Sequence, residues 1–72
     1  MAVDKRAERK LEELLTAMRW HRRDLVEYRN GGGAAGVARC EQLLELDYAA
    51  IREHCAEYDL ELPHDVPPED AA

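Results

Sequence analysis

NGGGAAG, residues 30–36, lies near the middle of the chain, and its reading decides the fold. Gly31, Gly33 and Gly36 satisfy G-x-G-x-x-G, the spacing of a dinucleotide-binding turn. Such a turn needs a buried strand feeding the glycines, a helix after them, and a second strand carrying an acidic residue. Neither strand is present in the pattern. Asp4 to Arg29 is charged every few residues with apolar positions at helical spacing, and Val37 to Tyr58 reads as another helix. A Walker-type phosphate loop fails as well, because no Lys-Ser or Lys-Thr follows Gly36. The glycines therefore read as the reversal between two antiparallel helices. Asn30 or Gly31 would take the left-handed conformation that ends the first, and Gly33 would cap the second.

Working outward, the first helix is expected over about 4–29, the turn over 30–33 and the second helix over about 34–61. Ala7, Leu11, Leu14, Met18, His21, Leu25 and Tyr28 alternate by three and four and form one apolar stripe, widened by Leu15 and Val26. On the second helix Val37, Cys40, Leu44, Tyr48, Ile51, Cys55 and Tyr58 form another, with Leu43, Leu46 and Ala50 on its flank. At 100° per residue the second set spans more than half the circumference, too wide a face for one partner helix. A third surface must cover it, and a second copy of the hairpin is the simplest supplier. The expected fold is all-α: a two-helix antiparallel hairpin pairing into a homodimeric four-helix bundle with coiled-coil-like packing. Leu11, Leu14, Met18, Leu25, Leu44, Tyr48 and Ile51 would form its core and dimer seam.

Composition agrees with this reading. Charged residues make up 36% of the 72 residues and aromatics 6%, with no Phe, a balance that favours helix over sheet. The start, Met-Ala-Val-Asp-Lys-Arg, has no apolar core of a signal peptide, and no stretch approaches a membrane span. A cytoplasmic protein without membrane partners is expected, its first four residues frayed. Pro63 would stop the second helix near Glu61 or Leu62. The acidic, Pro-containing tail over 63–72 is expected to be extended or disordered, with a short binding motif around Leu62 to Pro68 as its sharper role.

Chemistry-bearing residues are few. Cys40 and Cys55 lie fifteen positions apart on one helix, about 22 Å along its axis, too far for a mutual disulfide. Both fall on the buried stripe, where free Cys acts as a small apolar residue in a reducing compartment. His21, His54 and His64 join no C-x-x-C or H-x-x-x-H spacing, so neither metal nor other cofactor is expected. In an antiparallel register His21 would lie opposite Glu45, and Cys55 near Leu11. Thr16, on the outer face, is the sole Ser or Thr, and neither cysteine has a histidine placed to activate it. No catalytic residue is assigned, and the chain reads as a non-enzyme.

Charge is more informative. Residues 1–30 carry a net +2 and residues 31–72 a net −8, within a total of −6. Arg22 and Arg29 would face Asp47, Glu41 or Glu45 across the hairpin, and a desolvated Asp47 would require Arg19 or Arg22. Trp20 lies about 140° or more from the apolar stripe, among Thr16, Arg23 and Glu27. Trp with Arg is the pairing enriched at binding hot spots, so Trp20, Arg19, Arg23, Thr16 and Glu27 form the candidate partner-binding surface. Coverage of Trp20 by neighbouring stems or the tail is the competing reading.

In layout the expected dimer resembles the small dimeric RNA-binding hairpins that control plasmid copy number, which also bury cysteines on their second helix. Layout alone transfers no function. The preferred expectation is a non-catalytic protein-interaction module, a small regulator, inhibitor or adaptor acting on a larger protein not identified by sequence. The alternative is an RNA-binding hairpin using the Arg19–Arg23 surface, disfavoured by the low net charge of that helix.

Overall fold

The computed structural model describes residues 4–68 and contains two helices packed side by side, α1 (Lys5–Gly31) and α2 (Ala34–Glu57). Among the described residues there is no strand, and no helix is long and apolar enough to cross a membrane. Asp4 begins α1 as its N-cap, its carboxylate accepting from the Arg6 amide at 2.9 Å. Glu8 in the first turn and Arg29 in the last complement the helix dipole. Asp4 is thus an ordered cap and not part of a frayed end, whereas the expectation for residues 1–3 falls outside the described residues.

The turn is tighter than expected, because α1 continues through Gly31. Gly32, not Asn30 or Gly31, takes the left-handed conformation (φ 75°). The Tyr28 carbonyl accepts from Gly32 and, at 3.0 Å, from Gly33. Nothing crowds the place where a Gly32 side chain would stand, so a residue with a Cβ would suffer only the left-handed strain of about 1–2 kcal/mol. Gly36 serves differently. The Tyr28 ring lies against it so closely that any Cβ there would displace the ring. Two of the glycines in the motif-like run thus answer to backbone geometry and close packing.

Leu15, Met18 and Leu25 on α1 and Cys40, Leu44, Ile51 and Cys55 on α2 form the buried core, with Leu11, Leu14, Val37 and Tyr48 packed around it. Met18 and Ile51 are 0% exposed. The expected seam residues all belong to this cluster. Leu15, read as a flank, is buried, while Leu14 is half-buried, a rotation of the core-facing line within the same stripe.

Two expectations change at the end of α2. The helix stops at Glu57, about a turn before the point inferred from Pro63. Asp59 adopts φ 53°, a conformation its short polar side chain tolerates, and the Leu60 amide donates to the Cys55 carbonyl at 2.8 Å. The chain therefore reverses before the proline is reached. Leu60, Leu62 and Val66 then lie back on the hairpin as a strap, and Val66 is only 2% exposed. The expected extended or disordered tail is, through Pro68, an ordered covering segment; residues 69–72 lie outside the described residues. Burial of Val66, half-burial of Leu60 and Leu62, the Asp65 ion pairs and the hydrogen bond from Arg52 to the Pro67 carbonyl act together against the chain freedom the segment loses. The third surface demanded by the wide apolar faces is thus supplied, on one side, by the chain itself. The other flank stays open: Leu43 and Ala50 are half-buried and Leu46 is 68% exposed.

Candidate docking surface

Thr16, Trp20, Arg23 and Glu27 recur by three and four along α1, which places them on one face one turn apart. Trp20 lies outside the core cluster and is 57% exposed. The Arg23 guanidinium carbon sits 5.6 Å from the centre of the indole ring, within cation–π range. Arg23 Nε is also 3.6 Å from Glu27 Oε1, so the arginine is held between an aromatic face and a carboxylate. The Thr16 hydroxyl donates to the Glu12 carbonyl at 2.8 Å, a local bond that points it along its own helix. Trp20, Arg23 and Glu27 therefore make one contiguous exposed patch, and Thr16 borders it.

Arg19 faces the strap. Its Nε lies 3.6 Å from Asp65 Oδ2, and Arg22 Nη1 lies 3.5 Å from that same oxygen. Arg22 also donates to the Asp65 carbonyl at 3.5 Å. The expected pairing of Arg19 or Arg22 with Asp47 is thereby replaced. Asp47 pairs with His21, Nδ1 to Oδ2, at 2.5 Å. The reason is rotational: His21 and Asp47 flank the core on one side of the hairpin, whereas Arg19 and Arg22 flank it on the side where the strap runs. Arg29 meets Glu41 at 3.7 Å, one of its expected partners.

The remaining polar groups are tied into the fold. His54 Nε2 donates to the Ala7 carbonyl at 2.7 Å, linking the end of α2 to the start of α1, and its ring is 4.8 Å from that of Tyr58. Cys55 turns instead towards the strap, its Sγ 3.9 Å from the Glu61 carbonyl. Neighbouring His54 and Cys55 thus serve opposite sides of α2. Among the described residues, no group of three or more His, Cys, Asp or Glu side chains could hold a metal ion. Both cysteines are free and buried.

Burial pushes the Cys55 thiol above its ordinary value of 9.0. The unfolded chain ionises this thiol first, so its contribution to stability is constant below that value and falls as pH rises past it. Between pH about 8 and about 10 the wild type should therefore lose stability more steeply than Cys55→Ala. Denaturant midpoints of the two proteins check this; parallel slopes would mean the thiol is not desolvated.

Sequence reasoning missed Asp65 and Val66, the residues that tie the strap down. The available signal was the set Leu60, Leu62 and Val66, a short apolar series beside helices whose apolar faces were too wide to cover each other. Compared with known proteins, the chain matches no family model, no curated protein and no solved structure.

Proposed function

We propose that this chain is a non-catalytic protein-interaction module, a small cytoplasmic regulator that docks on a larger protein through the outer face of α1 around Trp20. The observation that carries this reading is the 57% exposure of the one tryptophan, outside the core and under an arginine. Tryptophan is among the residue types most enriched at the centres of binding interfaces, and arginine is another. Arg23 and Glu27 supply the polar rim, and Arg19 lies at the edge next to the strap. The arginine pairings weigh against the RNA reading. Arg19 and Arg22 are engaged by Asp65, Arg23 by Glu27 and Arg29 by Glu41, so their charge is partly neutralised before any phosphate arrives.

A second copy of the hairpin covering Leu43, Leu46 and Ala50 belongs to the same proposal, since the strap leaves that flank of α2 open. Sedimentation at micromolar concentration is expected to give twice the 8.2 kDa chain mass, and a folded 8.2 kDa monomer would remove the dimer. The functional test uses wild type and Trp20→Ala as paired baits in an extract of the native host. A protein retained by the wild type, lost with Trp20→Ala and insensitive to moderate salt supports the reading. Retention of nucleic acid that falls steeply with salt would replace it with RNA binding.

A further inference from the structure

The strap has the parts of a bound peptide. Its apolar anchor, Val66, is sunk among the core residues between α1 and α2. Next to the anchor, the Asp65 carboxylate is clamped by two cations, Arg19 and Arg22. On the far side, Arg52 Nη1 donates to the Pro67 carbonyl at 2.8 Å, a contact made to backbone and so indifferent to side-chain identity. A turn closed by the Val66 amide on the Pro63 carbonyl at 3.0 Å sets the spacing between proline and anchor. An apolar pocket, a charge clamp and a donor to backbone are elements by which protein grooves recognise short peptide segments.

The hold is also of a kind that can be released. The ion pairs are 3.5–3.6 Å long and the arginines are exposed, so water and salt screen them. The segment hangs from α2 through Asp59, whose left-handed backbone is a local change of direction and not a packed element. We propose that the α1/α2 groove is a docking site for an acidic, turn-forming segment of a partner protein, of the form proline–x–acid–valine–proline, and that residues 60–68 occupy it as a displaceable stand-in. Charge complementarity selects that partner: the two arginines at the groove edge require an acid next to the apolar anchor. The site is continuous with the outer face of α1, because Arg19 borders both, but the inference stands on the strap and not on Trp20.

A fluorescent peptide of residues 60–68, titrated into the full chain, tests this by anisotropy. The tethered strap competes at high effective concentration, so the wild type should bind the peptide weakly. Val66→Asp removes the internal competitor. If the strap fills the groove about nine-tenths of the time, apparent affinity for the peptide should rise about tenfold. Adding Arg19→Ala and Arg22→Ala to that variant should abolish the gain, and salt should weaken it. Should Val66→Asp lose its helical circular dichroism, Asp65→Ala releases the clamp without touching the core and is expected to act in the same direction. A folded release variant that ignores the peptide up to about 1 mM, or binds a scrambled peptide equally well, would show the strap to be purely structural. A wild-type dimer that Val66→Asp converts to monomer would overturn the partner assignment, naming a second copy's tail as the occupant.

Discussion

Ile51→Asp is expected to abolish the fold. Ile51 has no exposure and lies in the same buried cluster as Met18, Leu44 and Val66. Removing the isoleucine side chain alone costs roughly 2–5 kcal/mol through lost transfer energy and the cavity left behind. A carboxylate buried without a cation adds several kcal/mol more, or forces the group to take up a proton. A domain of 72 residues has a total stability of about 4–11 kcal/mol, so the two costs together consume most or all of it. Circular dichroism should show loss of most helical signal at neutral pH with no cooperative thermal transition. Gln42→Asp, nine residues earlier on the same helix, is the control, because Gln42 is exposed and is not one of the flank residues assigned to a second copy. It should keep the fold, with a change of about 0.5 kcal/mol. Equal behaviour of the two variants would mean that α2 does not present its Cys40–Leu44–Ile51–Cys55 face to α1.

The second large effect is on binding. Trp20→Ala should weaken association with the partner by about 2 kcal/mol or more, roughly thirtyfold, the scale of a hot-spot truncation. The same change should leave thermal stability within about 0.5 kcal/mol, because Trp20 lies outside the core cluster. Arg23→Ala, whose guanidinium stacks on the indole and pairs with Glu27, should weaken binding by less. It removes a cation–π contact worth about 0.5–1 kcal/mol at an exposed site. Fluorescence offers an early check: emission of the free protein should be red-shifted and open to iodide quenching. Emission that is blue-shifted and protected would place Trp20 in an interface between copies. Normal partner affinity in a folded Trp20→Ala protein would remove the outer face of α1 from the binding surface.

The two surfaces on α1 differ in how they respond to charge. Around Trp20 the arginine is bound to a neighbour on its own helix, so the patch keeps its charge pattern whatever the tail does. At the groove edge Arg19 and Arg22 depend on Asp65, forty-odd residues away in sequence, and are neutralised only while the strap is seated. Binding at the first surface should be governed by desolvation of the indole, and binding at the second by ion pairing and therefore by salt.

Periodicity alone determined that this chain is a helical hairpin, because helix position is a local property that repeats every few residues. The stripes through Met18 and Leu25 on one helix and Leu44 and Ile51 on the other could be read without any knowledge of what they touch. The glycine run could be read as a turn by the same means, since no strand precedes it. Which glycine turns left-handed was seen only in the structure: Gly32 closes α1, and the Tyr28 ring lies against Gly36. The angle of Trp20 on α1, a local quantity, placed it off the apolar stripe, whereas its being left uncovered and the partners of the arginines around it were decided by the tertiary structure. Asp47 went to His21 and not to an arginine because the sign of a small rotation about the helix axis chooses the side of the hairpin on which a residue stands. Asp65 reached Arg19 and Arg22 because three apolar residues after Tyr58 had an uncovered groove to fill. Proline and acid count suggested a solvated tail, and composition carries no information about a groove assembled by two other segments. Val66 is buried nonetheless, and only the packed helices create the place where it can be buried.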